Sequence, residues 1–247
     1  MVTRRSFLEG FGLVLGASAF SPTVSPAQTK IVLLPKGIGV DPDCADPLPV
    51  SQSGGSLGDR PPLNSEEKIA KDIIVASPKG PTPLDVAQYF LEISEGKRGN
   101  QWQPYAQGWP LRWNPVIVNF FQATKTTPKG DLTAWCAAFV NWCFLRTGKG
   151  VATDSASSGS FRLFGTETTS PVPGDIVVFK RTHPEGPADP RGHVGFFTGI
   201  SADRITVLGG NQIEKHEGSH KVSVKPLGKT GAILTLDSFR TDPRLHT

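Results

Sequence analysis

Asp131-Leu132-Thr133-Ala134-Trp135-Cys136-Ala137-Ala138-Phe139-Val140-Asn141-Trp142-Cys143 reads as a short helix that is apolar on nearly every side. A helix of that kind is buried, so the rest of the domain has to be built around it. Asp131 or Thr133 is expected to cap its start through a side-chain oxygen. Cys136 then falls in the first turn, among unpaired N–H groups where the helix dipole favours an anion. A thiol there is expected to have a depressed pKa and to act as a nucleophile. Thr147-Gly148 closes the helix, since glycine suits a left-handed C-terminal cap.

Upstream the pattern is helical. Asn64-Ser65-Glu66-Glu67 opens a helix with early carboxylates that runs through Ile69, Ile73 and Ile74 to about Ala76. A second begins near Thr82-Pro83-Leu84-Asp85 with proline in its first turn and buries Val86, Tyr89, Phe90 and Leu91. A third, Asn114 to Ala123, carries Val116, Ile117, Phe120 and Phe121 at helical spacing. Downstream the period changes to two. Asp175–Phe179, His193–Gly199, Arg204–Leu208, Lys221–Lys225 and Ala232–Leu236 read as strands separated by turn residues. Helices first and an antiparallel meander after predict an α+β domain over residues 63–242, with N-terminal helices packed on an antiparallel sheet. The polar, proline-rich insertion Lys180 to Arg191 delivers His193 and is expected to rim a cleft; a plain hairpin loop is equally compatible.

The ends carry a different message. Thr3-Arg4-Arg5-Ser6-Phe7-Leu8, the apolar run Phe11 to Phe20 and Ser25-Pro26-Ala27 form a twin-arginine signal peptide over residues 1–27. The apolar run is shorter than the ~20 residues a spanning helix needs, so cleavage rather than anchoring is expected. That implies a periplasmic or extracellular protein with no stable membrane association afterwards. Cleavage removes two arginines and one glutamate, taking the net charge from +4 to +3. Residues 28–62, rich in Pro, Gly, Asp and Ser, read as a linker or arm. The mild positive charge suits an anionic wall or membrane surface. It lacks the clustered Lys/Arg with interleaved aromatics of a nucleic-acid surface, so nucleic acid is not an expected partner.

Three cysteines at these spacings suggest neither a metal site nor any other cofactor. Cys136 and Cys143 lie about 10 Å apart along one helix, too far for a disulfide. Cys143, in mid-helix, reads as a small buried hydrophobe, and Cys44 as incidental. Among the histidines, His183 lies in the insertion, His216 and His220 in a polar turn and His246 in the tail. Only His193 opens an apolar strand directly after glycine, where its ring can lean from a sheet edge toward a helix. Asn211, after Gly209-Gly210, is expected to approach the far nitrogen of that ring and fix its tautomer. Gln212 and Asp203 are weaker alternatives, and Asp175 suits a turn. Trp135 and Phe161 are expected to contact substrate in the cleft wall, although Trp135 is equally compatible with plain core.

Four blocks in order, Trp135 to Cys143, Pro173 to Phe179, Gly192 to Phe196 and Val207 to Gln212, resemble the NlpC/P60 superfamily and within it the CHAP-like cell-wall hydrolases. The resemblance is good over about 131–226 and loose over 82–130. It implies a papain-like fold with Cys136 as nucleophile, His193 as base and Asn211 as orienting residue. It also implies peptidoglycan or muropeptides as the partner, cut at amide or peptide bonds through a thioester. Many relatives carry Asp-Cys-Ser at the nucleophile, where this chain has Trp135-Cys136-Ala137. An acyltransferase using the same dyad and an inactive shell binding wall fragments or a protein are the competing readings.

Overall fold

Four α-helices precede a six-stranded sheet in the computed structural model, which describes residues 60–213 and 220–247. The expected leader, nearly all of the arm, Cys44 and His216 lie outside the described residues.

Helix α1 spans Asn64–Ala76. The Glu66 carboxylate accepts the Leu63 N–H at 2.7 Å, satisfying one of the donors a helix start leaves open. Its buried side is Ala70, Ile73 and Ile74. Helix α2 spans Pro83–Ser94. Thr82 Oγ1 accepts the Asp85 N–H at 3.3 Å and Asp85 Oδ2 accepts the Thr82 N–H at 2.9 Å, a reciprocal cap. Helix α3, Pro115–Phe120, starts from Asn114, whose Oδ1 accepts the Val116 N–H at 2.9 Å, and tightens into a 3₁₀ turn over Phe121–Ala123. Helix α4 spans Cys136–Arg146, and Gly148 follows with φ +73°.

The expected cap of α4 is absent. Trp135 holds the cap position and no side chain bonds there. Asp131 Oδ2 instead accepts the N–H groups of Trp109, at 2.9 Å, and Asn114, at 2.8 Å. Thr133 Oγ1 accepts the Lys129 N–H at 2.6 Å. Both oxygens are committed to loop backbone before the helix begins.

The strands are β1 Thr166–Thr168, β2 Ile176–Arg181, β3 Gly192–Ser201, β4 Arg204–Ile213, β5 His220–Gly228 and β6 Leu234–Thr241. Their order in the sheet is β1-β6-β2-β3-β4-β5, with every described pairing antiparallel. The fold is therefore α+β. β2 to β5 form the meander that the period-two pattern predicts. β6 departs from it, crossing back to pair with β2 on the opposite side, and the three-residue β1 adds to its edge.

Period two divides the sheet's side chains between two cores. Ile176, Val178, Val194, Phe196 and Leu208 face the helices. Val177, Phe179, Phe197, Ile205 and Val207 pack on the other side with Leu227, Leu234, Leu236 and Phe239. On the helical side Phe90 meets Tyr89, Phe120, Phe139 and Trp142 edge-on, at centroid distances of 5.1–6.0 Å. Truncating a ring so enclosed typically costs about 3–5 kcal/mol. This cluster packs α4 against α2 and α3.

The insertion before β3 is pinned rather than free. Arg191 forms a two-pronged pair with Asp189, both bonds 2.8 Å, which holds the Asp189 carboxyl well below its usual range. Arg162 donates to the Asp189 carbonyl at 2.9 Å, and the Gly159 N–H donates to the Pro190 carbonyl at 3.0 Å. The chain enters β3 from a fixed direction.

Candidate functional site

Cys136 is the first residue of α4 and 4% exposed. Its thiol lies against the Val194 N–H, the group immediately after His193, and also meets the N–H groups of Ala137 and of Cys136 itself. The ladder between β3 and β4 begins only at Phe196↔Leu208, so the start of β3 is open there and the thiol occupies that side. Helix start and strand start thus bring the Cys136 thiol to the backbone of Val194, one residue past His193.

The electrostatics differ from the expectation of a depressed thiol. Burial pushes the Cys136 thiol above its ordinary value, and the surrounding N–H groups offset this only in part. Removing a charge from water outweighs the dipole of one helix turn. Cys143 is fully buried and pushed up further. His193 is 8% exposed, and burial, followed by the positive charge of Lys225, lowers its pKa to about 4. At neutral pH the site therefore rests as an uncharged thiol and an uncharged imidazole.

His193 pairs with Phe179 across β2 and β3. Its Nε2 is buried with no hydrogen-bond partner. A Cβ at Gly209 would lie 3.3 Å from that nitrogen and 3.0 Å from the Gln212 amide nitrogen, so the glycine separates the two side chains. Gly210 faces the other way: a Cβ there would lie 2.3 Å from Trp135 Cζ3. Asn211, next along, has φ +60° and marks a bulge where the β4–β5 register shifts between Gly209 and Gln212. Its half-buried side chain makes no hydrogen bond among the described residues, so the structure does not join it to His193. Gln212, only 3% exposed, lies on the His193 side of Gly209.

The remaining expected residues divide cleanly. Trp135 and Phe161 are wholly buried, the first against Gly210 and Phe139 and the second against Phe164; both are core, not an exposed wall. Asp203 is exposed in the β3–β4 turn. Asp175 Oδ2 accepts the Val172 N–H at 2.9 Å, and Oδ1 meets His246 Nε2 at 2.8 Å, a turn fastened to the C-terminal end. Among the described histidines only His193 is buried. No group of three or more His, Cys, Asp or Glu among the described residues could hold a metal, and no described helix is long and apolar enough to cross a membrane. Sequence reasoning passed over Ser223, 7% exposed, which faces Gly209 in register across β4 and β5. A serine in an alternating strand carries no local signal of such a position.

The thiol at the start of α4 lies against the start of β3, which carries His193, the only buried histidine among the described residues. Residues 127–211 match the CHAP domain. The CHAP match takes in α4, β2, β3 and β4 up to the Asn211 bulge, and so includes Cys136 and His193. CHAP domains are generally amidases or peptidases, which points to hydrolysis of peptidoglycan. The wider NlpC/P60 grouping rests on the sequence blocks alone. No curated protein and no solved structure matched the chain.

Proposed function

We propose that this chain is an exported cysteine hydrolase that cleaves amide or peptide bonds of peptidoglycan. The observation that carries the reading is the meeting of the Cys136 thiol with the start of β3 beside His193, inside the CHAP match. Nε2 of His193 lies toward Gly209, and Nδ1 is assigned as the nitrogen that takes the thiol proton. Both groups rest uncharged, so proton transfer accompanies attack. His193 Nδ1 takes the thiol proton as Sγ bonds to the carbonyl carbon and the carbonyl π pair moves to oxygen. The Cys136 N–H, at the open end of α4, stabilises that oxygen. Collapse expels the amine, which leaves with the proton from His193. Water then attacks the thioester, His193 takes its proton, and the acid is released with the thiol restored. The twin-arginine leader supports a destination at the wall.

The test is mass spectrometry of wall fragments digested by the mature chain. The wild type should release muropeptides and Cys136→Ala none; equal release would end the proposal. The mass of the new ends assigns the bond as amidase or endopeptidase. Slight exposure of both groups favours one second reading, a closed shell that binds wall fragments without cutting them. A thiol probe that labels Cys136 no faster than Cys143 would support it.

A further inference from the structure

Lys225 is a half-buried cation close to the site. It stands in β5 in register with Val207, two residues past Ser223, which pairs with Gly209 beside the His193 ring. Side chains alternate along a strand, so Lys225 and Ser223 share one face of the sheet with that ring. The lysine stem turns along this face toward the end of β4, where Nζ donates to the Ile213 carbonyl just past the Gly209–Gln212 bulge. That bond uses one of its three protons. No Asp or Glu among the described residues pairs with it.

A cation so placed works against the base. Its positive charge disfavours protonation of His193 and adds to the effect of burial. Other lysines show the ordinary remedy: Lys97 pairs with Glu95 at 2.6 Å, Lys125 with Asp154 at 2.6 Å and Lys180 with Asp237 at 3.3 Å. At Lys225 an anionic substrate would supply the missing charge. It would also relieve the ring, because a neutralised lysine no longer opposes the proton that His193 takes up during attack. The reach agrees. Neighbouring strands lie ~4.8 Å apart, so β3 and β5 are ~10 Å apart, about three extended residues at ~3.3 Å each.

We propose that Lys225 is the anion receptor of this site, its Nζ taking a carboxylate of the substrate two or three residues from the bond that is cut. The assignment rests on the reading of Cys136 and His193 as nucleophile and base, but binding tests it without turnover. The probes are wall peptide fragments in two forms, with carboxylates free or converted to amides. They are added to the full chain carrying Cys136→Ala, its lysines labelled at Cε for NMR. The Lys225 signal should move with the free form and stay in place with the amide. Calorimetry should show the free form binding about fivefold more tightly, the upper worth of a partly exposed ion pair, with the gap closing at high salt. Lys225→Arg should keep that preference and Lys225→Met abolish it. Equal binding of the two forms, a preference that survives Lys225→Met, or a Lys225 signal that neither form moves overturns the assignment. So does a Lys225 signal that moves in Glu214→Gln or Glu217→Gln without any peptide, since those residues, outside the described ones, would then supply the counter-charge. The signal decides by itself where Lys225→Met does not fold. A wild type that releases muropeptides while binding both forms alike loses only the receptor. A chain that takes the free form on Lys225 but releases nothing fails as a hydrolase while the receptor stands.

Discussion

At the scale of the residue, His193 works against its surroundings. Burial and the neighbouring Lys225 charge hold its pKa near 4, so it is a weak base in a dry place. What it gains is availability, because the ring stays unprotonated far below the range of an ordinary histidine, about 6.5. The acid limb of kcat/KM reports the essential base of the free enzyme, and it is expected near pH 4 rather than near 6.5. A limb at 6 to 7 in the pH–rate profile would mean that the ring is hydrated in the working protein. Lys225→Met removes the second cause, so it should move the limb upward by less than burial moved it down.

At the scale of the element, the site depends on how closely β4 approaches α4. Gly210 lets the strand lie against Trp135: an added Cβ would meet Trp135 Cζ3 at 2.3 Å, Cε3 at 2.7 Å and Phe139 Cβ at 3.0 Å. A methyl group there cannot be absorbed by a flexible side chain. Gly210→Ala should cost about 1–3 kcal/mol by overpacking, measured as a lower urea midpoint with an unchanged slope. It should also reduce Cys136 reactivity, since Trp135 precedes the thiol. The helices themselves were legible from apolar spacing and first-turn residues, and the meander from alternation. What escaped was set by distant contacts. Asp131 looked like a cap for α4, but Trp109 and Asn114, 22 and 17 residues upstream, claim its oxygen. Gly209-Gly210-Asn211 announced a special backbone without saying which following side chain would turn toward the ring. That choice follows from φ +60° at Asn211, which alternation cannot foresee. Likewise the passage of β6 to the far side of β2 leaves no mark in its own residues.

At the scale of the whole molecule, two buried groups set opposing pH dependences in the same range. Asp131, 6% exposed, is raised by burial from 3.8 to about 6, despite the N–H groups of Trp109 and Asn114. Between those values the folded chain holds a proton there that the unfolded chain has lost, so stability falls as pH rises. His193 is lowered by burial from 6.5 to about 4. Between those values the unfolded chain holds a proton that the folded chain refuses, so stability rises with pH. Each shift is about two units, roughly 3 kcal/mol over the full range at about 1.4 kcal/mol per unit. With the signs opposed and the ranges overlapping, the two nearly cancel, and the wild-type unfolding free energy should vary little between pH 4.5 and 6. The single variants should uncover the hidden slopes. His193→Gln leaves Asp131 alone and should lose stability as pH rises through that range, whereas Asp131→Asn leaves His193 alone and should gain it. Urea unfolding at three pH values measures all three chains. Parallel profiles would show that neither group is as dry in solution as its surroundings imply. That result would also withdraw the reason for expecting the acid limb near 4, because the catalytic and the stability profiles both rest on the burial of His193.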